Sequence, residues 1–286
     1  MAGTLWLVGT PIGNLEDVTE RARRVLAGAD VIACEDTRRT RGLLTHLGIR
    51  APRLVSFFEG NEERRVPELI EELRRDRSVA LVTDAGMPAV SDPGYRLVTA
   101  CAAEGIEVDA APGPSAAVTA LALSGLPTDR FAFEGFLPRR AGDRRRRLEA
   151  LTADPRTLVV FESPRRLPRL LGEAAEVLGD RRAVVARELT KAHQEVARGN
   201  LSELAARFSE PPRGEVVVVI EGPGAAGAAD LGEAAERVRE LTARGVPRKE
   251  AVDAVASQAG VSRRGLYEES LRPGRPGSGV EPEEAG

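Results

Sequence analysis

Short apolar runs rich in β-branched residues alternate with amphipathic stretches through the first 125 residues. Strands are predicted at 4–8, 31–34, 54–57, 79–83 and 107–110, and helices at 18–27, 38–47, 62–75 and 95–104. In the third helix Val66, Leu69, Ile70 and Leu73 recur at helical spacing while charged residues fill the other faces. Strand-helix alternation of this kind predicts an α/β domain with a largely parallel sheet.

The rhythm resets at Gly125-Leu126-Pro127. A second α/β unit follows, with strands at 131–136, 157–161, 183–186 and 215–220 and helices at 144–151, 167–178 and 201–208. A Gly/Ala/Pro linker spans 222–229. Three helical patterns come next, at 231–243, 248–259 and 263–271, the last two flanking Ala259-Gly260-Val261-Ser262 in the outline of a helix-turn-helix. The tail 273–286 is rich in Gly, Pro and Glu without an apolar anchor and is expected to be disordered. The expected division is 1–125, 126–224, 225–272 and the tail 273–286.

Composition adds limits. With 42% hydrophobic and 30% charged residues in 286, the chain can bury a sizeable core. No run approaches the ~20 apolar residues of a membrane span, and the opening residues lack the pattern of a signal peptide. A cytoplasmic protein that does not enter a membrane is expected. Cys34 and Cys101 each lie in an apolar stretch and read as small buried hydrophobes. Only His46 and His193 are present, which argues against a histidine-based metal site, and no metal is expected. The net charge of −3 conceals local clustering of arginine. Arg139, Arg140 and Arg144 to Arg147 form one group, and Arg165, Arg166 and Arg169 another. Such clusters suit a polyanion at one face, or a solvated helix rich in Arg–Glu pairs.

Candidate chemistry lies in loops that follow strands, where open α/β sheets bind their ligands. Gly9-Thr10-Pro11-Ile12-Gly13-Asn14 follows the first strand, and its glycines allow the backbone to approach a ligand closely. It is neither a dinucleotide fingerprint nor a Walker A loop. The segment from Thr83 to Gly94 packs two Asp-containing turns between a strand and a helix. Asp84 is placed to accept hydrogen bonds from a ligand, and Asp92-Pro93-Gly94 to cap the following helix. Ala111-Pro112-Gly113-Pro114-Ser115-Ala116 is the third such loop, with Ser115 starting a helix. Three such loops at strand ends predict a small-molecule site formed largely by backbone.

The motifs GTPIGN, CEDTR, VTDAGMPAVSDPG, APGPSA, GFLPRR, FESP and RELTK occur in that order between residues 9 and 191. Together they resemble the 16S rRNA cytidine 2′-O-methyltransferases of the tetrapyrrole methylase superfamily, over roughly residues 5–222. The resemblance implies two α/β domains with a cleft between them for S-adenosylmethionine, plus a small C-terminal helical segment. It also implies a homodimer, and as partner 16S rRNA or the assembled 30S subunit, methylated at the cytidine conventionally numbered 1402. By motif position the cofactor contacts are Thr10, Pro11, Asp84, Ala85, Gly86, Pro88, Ser115, Ala116, Phe161, Leu189 and Thr190. The chain departs from the family's usual pattern at Phe58, Gly60 and Arg165, where histidine is common, so a histidine base at those places is put in doubt.

A ribose hydroxyl is a poor nucleophile at neutral pH, and a carboxylate near it assists deprotonation. Glu35, Asp36, Glu162 and Glu188 are the candidates, although Glu35 or Asp36 equally suits capping of the helix that starts near Arg38. Arg38, Arg139, Arg140, Arg165 and Arg166 are candidates for RNA phosphates. Phe57 or Phe58 is a candidate for base stacking, with core packing the better reading for Phe57. Two rivals share much of this pattern: a tetrapyrrole C-methyltransferase of the same superfamily, and a non-enzymatic α/β ligand sensor whose C-terminal helices read DNA.

Overall fold

The computed structural model describes residues 3–223, 228–259 and 263–272. A five-stranded sheet forms from β1 (Leu5–Val8), β2 (Val31–Cys34), β3 (Arg53–Ser56), β4 (Val79–Val82) and β5 (Val108–Ala111), all parallel, in the order β3-β2-β4-β1-β5. β2 and β4 are buried along their whole length, as expected for interior strands covered on both faces. Side-chain alternation divides the apolar residues between the two faces. Val31, Ala33 and Leu81 face α3 (Glu62–Arg74) and α4 (Tyr95–Ala103), whereas Ile32, Cys34 and Val82 face α1 (Glu20–Gly28) and α2 (Thr37–His46). Both cysteines are buried, and burial raises both thiol pKa values, Cys101 to about 11.

The strand order places the site. From β1 the chain runs toward β2 on one side, and from β4 toward β5 on the other, while β1 and β4 are neighbours. The loops after these two strands therefore diverge, and the crevice between them is the expected ligand position in an open α/β sheet.

The second sheet comprises β6 (Phe131–Phe136), β7 (Thr157–Glu162), β8 (Arg182–Arg187), β9 (Glu195–Asn200) and β10 (Val216–Ile220) in the order β6-β7-β10-β8-β9. Only β6 and β7 run parallel; the other pairs are antiparallel. One face is covered by α6 (Ala141–Leu151), α7 (Leu167–Leu178) and α8 (Leu201–Arg207), with Leu148, Val160, Leu170, Leu204 and Val218 in the shared core. On the other face lie Val159, Val184, Val217 and Val219, together with Ala117, Ala120 and Leu121 of α5 (Ala116–Ser124). The helix that closes the first α/β pattern thus packs on the second sheet.

These two sheets form one compact unit. A second unit, residues 152–156 with those from 221 onward, contains α9 (Ala228–Ala243), α10 (Arg248–Ala259) and α11 (Arg263–Ser270). Its core is Ala234, Ala235, Val238, Ala251, Val252, Val255, Ala256 and Leu266. The turn residues 260–262, residues 224–227 of the expected linker 222–229 and the expected disordered tail 273–286 lie outside the described residues. No described helix is long and apolar enough to cross a membrane.

Candidate active site

Backbone, more than side chains, joins the loops at the carboxyl ends of β1, β4 and β5. Thr10 and Gly86 pair as an isolated antiparallel bridge, Thr10 N donating to Gly86 O at 2.9 Å and Gly86 N to Thr10 O at 3.1 Å. The Thr10 hydroxyl donates to Thr83 O at 3.2 Å, which leaves it buried and engaged. Gly9 N donates to Ala111 O at 3.0 Å. A Cβ on Gly9 would lie 2.6 Å from Gly113 Cα, so the first and third loops touch backbone to backbone, a fit that only paired glycines permit.

The loop after β4 is held under strain. Ala89 (φ 67°) and Ser91 (φ 61°) adopt left-handed conformations that L-residues avoid, each costing on the order of 1–3 kcal/mol. Glu62, nearly buried at the start of α3, holds the loop by accepting from Gly94 N at 2.8 Å. Gly94 stands at the N-cap of α4, in keeping with the capping expected of Asp92-Pro93-Gly94, although it makes no side-chain capping bond. Asp92 lies where carboxylates gather. Burial, and then the charges of Glu35 and Asp84, push it up from 3.8 to about 7. Asp84 pairs with Arg39 at 3.2 Å through Oδ2, while its Oδ1 is buried and carries no partner. Glu35 accepts from Asp84 N at 3.5 Å.

The loop after β8 meets this cradle. A Cβ on Gly13 would fall 2.7 Å from Leu189 O and 2.8 Å from Thr190 Oγ1. Glu188 (φ 50°) and Thr190 (φ 66°) are again left-handed, and Thr190 Oγ1 is buried without a partner. At β6, Gly135 (φ 59°) would set a Cβ 2.7 Å from Ser91 Oγ, so the second sheet touches the β4 loop there too. Ile12, Ala85, Ala116, Phe161 and Leu189 share one apolar cluster. Thr10, Gly86, Leu189 and Thr190 thus come together, and Ser115 is occupied in capping α5, accepting from Val118 N at 3.4 Å.

The carboxylate and arginine candidates take different positions. Asp36 is the N-cap of α2, accepting from Arg38 N at 2.8 Å, and that bond holds its carboxyl below the usual range. Glu162 is fully buried, accepting from Ser163 N at 2.7 Å and from Arg166 at 2.5 Å. Glu188 is bound to Lys191 Nζ at 2.8 Å, which lowers its pKa, and accepts from Glu215 N at 2.9 Å. Arg38 and Arg165 are exposed. Arg139 and Arg140 are also exposed and enter no ion pair among the described residues, whereas Arg145 pairs with Glu149, Arg146 with Asp143 and Arg147 with Glu134. Arg144 is a buried structural anchor, bonded to Glu173 at 2.6 Å and to the carbonyls of Pro138 and Arg139. Phe57 is core at 1% exposure, and Phe58 is exposed at a turn closed by Asn61 Oδ1, which accepts from Phe58 N. Sequence reasoning missed two residues: Asp92 as a titrating group, and Phe136, a large exposed aromatic at the end of β6.

Stitched loops at a switch point, glycine-to-glycine contact and orphaned buried acceptors define a backbone-built ligand cradle on two linked sheets. The chain belongs to the tetrapyrrole (corrin/porphyrin) methylase family, whose model matches residues 4–205. A relative from Thermotoga maritima, ribosomal RNA small subunit methyltransferase I, is 51% identical over 77% of this chain and 99% of its own. One of the same name from Mesorhizobium japonicum is 47% identical over 93% of this chain and 91% of its own. Among solved structures, uroporphyrin-III-C-methyltransferase from Thermus thermophilus matches with a TM-score of 0.55 at 25% identity, over 76% of this chain and 94% of its own.

Proposed function

We propose that this protein transfers a methyl group from S-adenosylmethionine to the ribose 2′-hydroxyl of a cytidine in 16S rRNA. The observation that carries the reading is identity near one half, over 77% and 93% of the chain, with relatives named as small-subunit rRNA methyltransferases. The cradle fits the cofactor. Gly9 and Gly113 let the first and third loops meet backbone to backbone, while Asp84 Oδ1 and Thr190 Oγ1 are buried polar atoms in want of partners. Thr10, Pro11, Asp84, Ala85, Gly86, Pro88, Ser115, Ala116, Phe161, Leu189 and Thr190 would hold it. When bound, S-adenosylmethionine supplies an electrophilic methyl on a sulfonium.

The chain supplies orientation and proton management. Holding the hydroxyl in line for displacement accounts for much of an acceleration of this kind. Of the four candidate carboxylates, Asp36, Glu162 and Glu188 are committed to a cap or to ion pairs, which leaves Glu35, beside Asp84 and Asp92, as the best-placed base. Arg38, Arg139, Arg140 and Arg165 suit RNA phosphates, and Arg166 reaches them only by leaving Glu162. A ribosomal substrate puts the work in the cytoplasm, and the family fold suits a homodimer.

A tetrapyrrole C-methyltransferase would share the cradle, but the named relatives at 51% and 47% identity are rRNA enzymes. A DNA-reading sensor fits less well, since Arg263, at the start of α11, is paired with Asp253. The test uses purified protein and labelled S-adenosylmethionine with 30S subunits that lack the modification, naked 16S rRNA and a porphyrinoid in parallel. Label in a single alkali-resistant cytidine linkage is expected. Label only in the porphyrinoid, or none in either RNA, would refute the assignment.

A further inference from the structure

Phe136 ends β6 with 57% of its surface exposed, and its ring is edge-on to Phe161, the centroids 5.6 Å apart at 63°. Phe161 is braced in turn by Phe133 at 4.9 Å and 71°. Phe136 is therefore a ring held in a fixed orientation with one side turned to solvent. Its outward aim comes from a register shift between Phe133 and Gly135, where a bulge interrupts the alternation of β6. The following residues are held firmly as well. Leu137 is buried, and Arg144 donates to the carbonyls of Pro138 and Arg139 at 3.3 and 3.2 Å. That clamp fixes the backbone that carries Arg139 and Arg140, which follow Phe136 closely in the chain and are exposed and free of ion pairs among the described residues, with Arg165 following the end of the neighbouring β7. Gly135, one residue before Phe136, is the point at which β6 touches Ser91 of the cofactor cradle.

An exposed aromatic face, followed in the chain by guanidiniums that are unpaired among the described residues, matches the chemistry of a single-stranded nucleotide, whose base stacks while its phosphates meet cations. We infer that Phe136 is a stacking platform for an unpaired base of the RNA substrate, with Arg139, Arg140 and Arg165 on the flanking phosphates, adjoining the cradle through Gly135 and Ser91. This deepens the rRNA reading and rests on it for the identity of the substrate, but the platform itself is tested by binding alone.

The experiment measures affinity of the full chain for a single-stranded RNA oligonucleotide with a fluorescent cytidine analogue at its centre. Methyl transfer to unmodified 30S subunits and the oligomeric state are followed in the same preparations. Phe136→Ala is expected to weaken oligonucleotide binding roughly tenfold to a hundredfold and to abolish the quenching of the analogue. Phe136→Trp is expected to restore both, and S-adenosylmethionine affinity should stay unchanged in each variant. Unchanged binding in Phe136→Ala, or weaker binding accompanied by an altered oligomeric state, would overturn the platform. Wild-type binding that depends on Phe136 without any methylation of 30S subunits would support the platform and overturn only the substrate assignment.

Discussion

Replacing Asp92 by asparagine removes a carboxyl that the fold holds in an unfavourable state. Its pKa lies near 7 in the native protein against an ordinary 3.8, through burial and the charges of Glu35 and Asp84. Between those two values the native chain binds a proton that the unfolded chain has released. Stability should therefore fall as pH rises, by roughly 1.4 kcal/mol per unit for this one group, and level off above pH 7. Summed from pH 5.5 to 8.5, the linkage amounts to about 2 kcal/mol, and water reaching the part-exposed side chain trims it to roughly 1–2 kcal/mol. The amide of the variant has no proton to lose in this range. Urea unfolding of both proteins at the two pH values should thus show Asp92→Asn gaining on the wild type by that amount at the alkaline end. A difference that is the same at both pH values would refute the reasoning. It would mean that Asp92 titrates as an ordinary surface acid, outside the field of Glu35 and Asp84.

Gly9→Ala should lower the urea midpoint by the equivalent of at least ~1–3 kcal/mol and impair cofactor binding, because its Cβ would meet Gly113 backbone at 2.6 Å. Gly28→Ala, where a Cβ meets open space, should be neutral or slightly stabilising in the same assay. Arg144→Met should cost roughly 3 kcal/mol by thermal or urea unfolding, since it breaks a buried pair with Glu173. Glu173 sits at about 2, chiefly through its bond to Arg144, so the stability it adds is present above pH 4.5 and lost as pH falls toward 2. Acid titration of Arg144→Met should show a flattened limb in that window. Arg139→Gln with Arg140→Gln should weaken RNA binding and reduce its log–log salt slope by about 1.5, with S-adenosylmethionine affinity unaltered.

Most of the fold could be read from the chain because most strands are short apolar runs between turn residues. β9 escaped because Glu195–Asn200 is a polar edge strand with only Ala197 buried, so no apolar run marks it. α5 is apolar on nearly every side, and its sequence does not say which sheet it serves. The three loops were legible from their glycines and prolines, yet the contact of Gly9 with Gly113 joins residues far apart in the chain and arises only on folding. Asp92-Pro93-Gly94 suggested a cap because Asp before Pro-Gly commonly is one; the gathering of Asp92 with Glu35 and Asp84 depends on β2 and β4 being neighbours. Arg144 looked like one cation among six, although its spacing to Leu148 and Leu151 already follows a buried helical face. Phe136 was hidden by the bulge in β6, since strict alternation would have aimed it elsewhere.

The placement of α5 limits how the protein can be dismantled. A fragment ending near residue 125 would keep the first sheet and its glycine loops but leave Ala117, Ala120 and Leu121 without the valines of the second sheet that cover them. Such a piece would expose an adhesive apolar face and precipitate rather than fold as a soluble cassette. The cradle is therefore not a transplantable part. Any chimera that borrows it must carry β6 to β10 with it, so swaps of substrate preference are better attempted in surface loops than by exchanging halves.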